Sequence, residues 1–254
     1  MTDSRNAQEQ EPFEADLPEA SSGVPVEHVI SIALEYFSEQ GFADTKLDAI
    51  AKDSGMSKRM IHYHFGDKKG LYQQALVSAI STMQPPAELL DRSYAVPVEG
   101  VRRFVDALYY RMAERPEALR LIMRESLNPV LEVKEMSAIS DSSDLTLHLE
   151  RLLMMGQDVG AFRPDISADD ILVLIISLTS YRVTSRNLTL NLFDIDLLSR
   201  ENTEGMRRFI IDAVLAFLTS NIPDSGHSSY LTQKSPVPND EGNGELYGID
   251  SEIY

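Results

Sequence analysis

The sequence predicts an all-α chain. Apolar residues recur at three-to-four spacing in segments from Val26 to Leu218, the period of an amphipathic helix. No segment alternates apolar and polar residues over the length a strand needs. Helix-ending signals punctuate the apolar runs at Gly41, Gly55, Pro85-Pro86, Pro116, Asn128-Pro129 and Gly160.

Each element is justified by local pattern. Residues 1–25 are rich in proline and acids and poor in large apolar side chains, which predicts a disordered tail. A first helix runs from about Val26 to Gln40, with Val26, Val29, Ile30, Ala33, Leu34 and Phe37 in its buried stripe and Gly41 closing it. Phe42 tucks beneath the next two helices. Thr45 is a candidate cap for a short helix carrying Leu47, Ile50 and Ala51 on one face. Gly55 stands where that helix ends and the backbone needs positive φ. Ser57 caps a second short helix whose outer face holds Lys58, Arg59, His62 and Tyr63. Met60, Ile61, His64 and Phe65 face partly inward. Asp67 caps a further helix that opens with Lys68 and Lys69 and runs to about Met83.

A helix, a glycine turn and a second helix with a basic, hydroxyl-bearing face is the layout of a helix-turn-helix DNA reader. The second helix is short and held by the first, so its exposed face fits a major groove. Cations at its start and just past its end meet the flanking phosphates. The charge distribution fits. The net charge is −17, but residues 1–25 and residues 222–254 each carry six acids against one base. Residues 56–70 carry four bases against one acid, so the chain is locally basic where it would meet phosphate.

This segment resembles the DNA-binding domain of the tetracycline-repressor (TetR) family of bacterial regulators. The resemblance rests on T-K-L-D-A-I-A-K-D-S-G-M-S at 45–57, I-H-Y-H-F at 61–65 and G-D-K-K-G-L at 66–71. Met56 replaces the usual valine, and His62 replaces the usual tyrosine that touches the DNA backbone. The resemblance implies DNA-contacting roles for Thr45, Ser57, Lys58, Arg59, His62, Tyr63, His64 and Lys68. Lys58 and Arg59 are favoured for bases; Thr45, Tyr63, His64 and Lys68 form the phosphate set. His64 has a competing structural role, since a histidine beside Phe65 can simply hold two helices together.

The rest of the chain reads as a helical regulatory body. Val98, Val101, Val105, Leu108 and Met112 line one helix, and Leu119, Ile122 and Met123 another that ends at Asn128-Pro129. Residues 130–160 read as helical with a weak region at 140–144. Ser167 starts a helix in which Ile171 to Leu178 is almost entirely apolar, so it must be buried on most sides. A last helix from Glu204 to about Asn221 carries Met206, Phe209, Ile210, Ala213, Val214, Phe217 and Leu218. The resemblance implies that residues 168–187 and 204–220 form a homodimer interface. Residues 222–254 read as a second disordered acidic tail. The domain reading is a tail at 1–25, a helix-turn-helix domain at 26–71 with its connecting helix to about 84, a regulatory and dimerisation domain at 85–221, and a tail at 222–254.

Tyr109, Met112, Met123, Arg124, His148, Met155 and Tyr181, with Tyr110, Met154 and Arg182, suit the lining of a small-molecule pocket. Methionines fill irregular apolar volume and tyrosines add a polar handle. Each also reads singly as an ordinary core or surface residue. Arg124 and Arg182 suit an anionic ligand if either points inward. The chain has no cysteine, so thiolate metal sites and disulfides are excluded. His28, His148 and His227 form no spaced metal set, and no catalytic triad, carboxylate pair or phosphate-cradling loop is present in the sequence. An enzyme is not expected, and neither cofactor nor metal is implied.

The longest apolar-rich stretch, Ile171 to Tyr181, is interrupted by Ser177, Thr179 and Ser180 and is too short to span a bilayer. With no apolar leader, this points to the cytoplasm. The reading is a ligand-responsive repressor that binds a palindromic double-stranded operator as a homodimer and is released by an unknown small-molecule effector. The alternative is a DNA-binding protein of the same fold without an inducer, architectural or controlled by a protein partner. Both tails are expected to be dispensable.

Overall fold

The computed structural model describes residues 23–86, 95–132, 143–222 and 229–231, which hold ten α-helices and no strand. They are α1 (Val26–Asp44), α2 (Leu47–Ser54), α3 (Lys58–Phe65), α4 (Lys68–Met83), α5 (Pro97–Glu114), α6 (Pro116–Leu127), α7 (Ser143–Asp158), α8 (Ala168–Thr184), α9 (Arg186–Phe193) and α10 (Arg200–Thr219). None is long and apolar enough to cross a membrane. Most of both expected tails and the weak region at 140–142 lie outside the described residues.

The helices form two compact units. The first holds α1 to α4 and α6. Its core joins Val29, Ala33, Leu34 and Phe37 of α1 to Ile50, Met56, Ile61, Leu71, Tyr72 and Leu76. As the sequence predicts, α1 is interrupted at Gly41, whose φ is 82°. The chain then turns so that Phe42 stacks on Phe37 and meets the edge of Tyr72, with ring centroids at 6.1 and 5.2 Å. By sequence, α6 belongs with the regulatory body. In the structure it packs with the reader helices, through Leu119, Leu121 and a buried bond from the Tyr72 hydroxyl to the Glu125 carboxylate.

The second unit holds α5 and α7 to α10. Here α5 is the central helix, in contact with α7, α8 and α10. Val101, Phe104, Val105, Leu108 and Met112 of α5 meet a core completed by Leu149, Leu152, Ile171, Ile175, Ile210, Val214 and Leu218. Ser167 starts α8 with a reciprocal capping box: its hydroxyl accepts from Asp170 N–H, and the Asp170 carboxylate accepts from Ser167 N–H.

Several expectations are corrected here. Residues 130–132 are not helical, because the Glu125 carboxylate takes the N–H groups of Val130 and Leu131 that a helix would need. The last helix begins at Arg200, a turn early, because Ser199 caps it by accepting from Asn202 N–H. α9 is not expected from the sequence; Arg186 and Asp196 close the loop after it with a 2.9 Å ion pair. On α8, Ile171 and Ile175 are buried, while part of its apolar run is left open among the described residues. Val173 and Ile176 face solvent, as Phe209 of α10 does.

Candidate nucleic-acid interface

Gly55 ends α2 in the left-handed region, with φ 74°. That permits the abrupt reversal into α3, whose N-terminus is capped by Ser57 Oγ accepting from Met60 N–H at 3.3 Å. Ile50, Met56 and Ile61 are buried and lock the two short helices together. The solvent face of α3 is set by that anchoring. With Ile61 inward, Lys58, Arg59, His62 and Tyr63 are turned outward, and Tyr63 is 72% exposed. His64 is also exposed, its ring edge-on to Tyr63 at 5.3 Å, so it does not hold α3 to α4 from within.

The face is organised rather than loose. Lys58 pairs with Asp48 of α2 at 3.0 Å across the turn. His62 Nδ1 lies 2.8 Å from the Gly66 carbonyl, which requires the proton on Nδ1 and leaves Nε2 pointing away from that carbonyl. Arg59 has no ion-pair partner among the described residues. Asp67 starts α4 by accepting from Gly70 N–H at 2.8 Å. Lys68 Nζ donates to the Ala43 carbonyl at 3.1 Å and sits 4.7 Å over the Phe42 ring. Burial lowers the pKa of that ammonium, against the opposing charge of Asp44.

Thr45 departs from expectation. It is buried, and its hydroxyl donates to the Gly41 carbonyl at 2.7 Å, so it closes the kinked end of α1. Lys46 occupies the cap position of α2, without a side-chain bond. Two features of the site carry no signal in the sequence pattern. Asp48 stands beside Lys58 only because the turn folds α2 against α3. Gly70 is packed so closely that an added Cβ would lie 2.0 Å from the Phe65 carbonyl oxygen.

The predicted pocket residues fall in both units. Tyr109 and Met112 are buried in the second unit, where the Tyr109 hydroxyl donates to the Thr203 carbonyl at 2.6 Å. His148 is buried and stacks on Phe104 at 5.8 Å. Met155 and Tyr181 are substantially exposed. Met123 and Arg124 belong to the first unit. There the Arg124 guanidinium donates to the carbonyls of Ser38 and Glu39, at 2.8 and 2.7 Å, where α1 breaks. Arg182 is buried over the Tyr109 ring and donates to Thr203 Oγ1 at 2.7 Å; its Nε and Nη1 have no hydrogen-bond partner among the described residues. Among the described residues no group of three or more histidines and carboxylates is placed to hold a metal ion.

A capped recognition helix held at a glycine turn, with cations and aromatics on its outer face, defines a helix-turn-helix DNA-binding domain. Residues 29–75 match the family model described as bacterial regulatory proteins of the tetR family, and residues 97–214 match the tetracyclin repressor-like C-terminal domain. The chain belongs to the TetR family of transcriptional regulators, which are not enzymes. It is similar to the HTH-type transcriptional regulator RutR of Escherichia coli (strain K12), at 29% identity over 39% of this chain and 46% of that protein. It is also similar to IcaR of Staphylococcus aureus (strain Newman), a negative transcriptional regulator of the biofilm operon icaADBC, at 40% identity over 34% of this chain and 47% of that protein. The chain thus spans about half the length of these curated relatives. A crystal structure of a tetR-family regulatory protein from Rhodococcus RHA1 shares the fold with a TM-score of 0.59 at 18% identity, over 78% of this chain and 98% of that one.

Proposed function

We propose that this regulator is a cytoplasmic repressor that binds a palindromic operator as a homodimer and is released by a small-molecule effector held in its helical regulatory domain. The outward face of α3 carries this reading. Arg59 is unpaired among the described residues, Lys58 is held by a single exposed carboxylate, and either side chain suits bidentate recognition of guanine. One recognition helix grips few base pairs, whereas two on a twofold axis suit successive major grooves. The exposed apolar faces of α8 and α10, with Val173, Ile176 and Phe209, support a partner copy there. The negative regulator IcaR supports repression.

For the effector, Arg182 is the best-supported contact, because a buried guanidinium with two unpaired nitrogens suits an anionic group. The exposure of Met155 and Tyr181, both predicted to line a pocket, favours the second reading, the same reader without an inducer, architectural or controlled by a protein partner. Selection of binding sites from random duplex DNA by the purified protein tests the first. The expected result is a palindromic consensus with half-sites about one helical turn apart. Enrichment of single, unpaired half-sites would exclude the dimeric reader, and no enrichment at low salt would exclude an operator bound without a corepressor.

A further inference from the structure

The short segment 229–231 is not loose against the regulatory unit. The Asp170 carboxylate accepts from Leu231 N–H at 2.9 Å, Tyr230 N–H at 3.3 Å and the Ser229 hydroxyl at 3.0 Å. From the other side Arg163 donates to the Tyr230 hydroxyl at 2.9 Å, and its guanidinium lies over both Phe217 and Tyr230. An anion and a cation therefore fix three consecutive residues at the N-terminal end of α8. Charge-assisted bonds to backbone N–H groups are among the stronger hydrogen bonds.

The Tyr230 ring also rests against Phe217, with centroids at 5.6 Å, yet the segment keeps much of its apolar surface open. Tyr230 is 55% exposed and Leu231 is 46% exposed. Together with Val173, Leu174, Ala213 and Phe217 they wall an apolar groove of about 460 Å³. The groove continues along both helices. Ile176 lies one turn from Val173 on α8, and Phe209 one turn from Ala213 on α10, and both are exposed. The open sides of Tyr230 and Leu231 add apolar surface to a face that is already exposed.

We propose that residues 229–231 are a third element of the dimer interface: a clip that extends the apolar face of α8 and α10, with a second copy of this chain covering both. The proposal rests on the dimer put forward above. A twofold-related copy is the occupant because it brings the same apolar face and the same clip, so each clip meets a surface of its own kind. It also revises the expectation that the whole C-terminal tail is dispensable.

Sedimentation equilibrium of the full chain tests it, with two variants beside the unaltered protein. The double variant Tyr230→Ser, Leu231→Ser removes the open apolar surface of the segment together with the Tyr230 contacts to Arg163 and Phe217, and helical content by circular dichroism checks its fold. Phe209→Asp puts a charge in the α8–α10 face. The expected result is a dimer for the unaltered chain, monomer for Phe209→Asp, and a dimer dissociation constant raised by about tenfold or more for the double variant. An unchanged constant for the double variant, with Phe209→Asp still monomeric, would overturn the clip and leave the dimer standing. A tighter dimer would overturn it too, since the clip would then obstruct the face. A monomeric unaltered chain, or a dimer that survives Phe209→Asp, would remove the α8–α10 dimer itself.

Discussion

The Tyr72 hydroxyl donates a 2.7 Å hydrogen bond to the Glu125 carboxylate, tying α4 to α6 in the interior of the reader unit. Both side chains are buried, and the carboxylate also accepts from Val130 and Leu131 N–H at 3.1 and 2.9 Å. Burial raises the tyrosine pKa, and the bond and the charge of Glu125 raise it further, so the hydroxyl stays protonated and donating. Glu125→Ala strands three donors and is expected to destabilise the protein by roughly 2–4 kcal/mol, Tyr72→Phe by about 1 kcal/mol. Urea unfolding of both variants and the double variant checks the order. Equal losses would mean that the two N–H contacts contribute nothing.

Arg124 braces the break in α1. Its guanidinium fork meets the carbonyls of Ser38 and Glu39 just before Gly41 breaks α1. Arg124→Ala is expected to lower stability by about 1–2 kcal/mol, and Arg124→Lys to recover little of it, because an ammonium lacks the planar fork. Thermal unfolding measures both. Full recovery by lysine would show that charge alone matters there.

The reader is legible in the sequence because its constraints are local. A cap at Ser57, a positive φ at Gly55 and the apolar period through Ile50 and Ile61 act within a few residues of one another. Thr45 is ambiguous because a hydroxyl between two helices has two local uses, capping the later one or closing the earlier one. The kink at Gly41 decides for the second. The assignment of α6 is not legible either, since Glu125 and Tyr72 are far apart in the chain and no period records their bond. The pocket set is not placed by the sequence for a related reason: residue type says what a side chain could line, whereas the fold says where it points. The apolar run Ile171 to Leu178 announces burial without saying whether its own chain or another buries it.

Asp48 holds Lys58 at 3.0 Å, and both are largely exposed. Such a pair contributes about 0–1 kcal/mol, so Asp48→Asn should barely change the melting temperature. It removes a negative charge beside the phosphates and frees a lysine. Affinity for non-specific duplex should rise a few-fold at low salt, with a steeper salt dependence. Arg59→Ala should instead weaken operator binding by roughly 1–3 kcal/mol and relax the preference at one position of each half-site. Titrations against operator and scrambled duplex at several salt concentrations separate the two. An operator affinity untouched by Arg59→Ala would take it out of the reader.

Asp170 supplies a pH dependence whose sign is set by its contacts. Burial alone would raise its pKa. The hydrogen bonds from Ser167 N–H, the Ser229 hydroxyl, Tyr230 N–H and the Ser167 hydroxyl outweigh that and bring it below the ordinary value of 3.8. The folded state therefore binds this proton less readily than the unfolded chain. The stabilisation is complete above the ordinary carboxylate range and is lost as pH falls through the lowered folded value. Asp170→Asn should cost about 1–2 kcal/mol at neutral pH through the capping box. The gap to the unaltered protein should stay flat down to about pH 5 and narrow below about pH 4. Unfolding at one fixed protein concentration across that range checks it. A gap that widened in acid would reverse the assignment.

Gly70 sets the approach of α3 to α4. A Cβ there would lie 2.0 Å from the carbonyl oxygen of Phe65, the last residue of α3, and a backbone oxygen cannot swing aside as a flexible side chain does. Gly70→Ala must therefore shift the end of α3 or the start of α4, where Asp67 caps Gly70 N–H. Overpacking against a rigid neighbour costs about 1–3 kcal/mol. The larger effect should be on DNA, since the recognition helix itself is displaced. Gly205 in α10 is the control, because nothing lies within 4 Å of a Cβ built there. Gly205→Ala should gain up to about 1 kcal/mol from helix propensity and leave operator binding alone. Parallel unfolding and operator titration of the two alanine variants decide the matter: wild-type operator affinity in Gly70→Ala would mean that the junction is soft and does not fix the recognition helix.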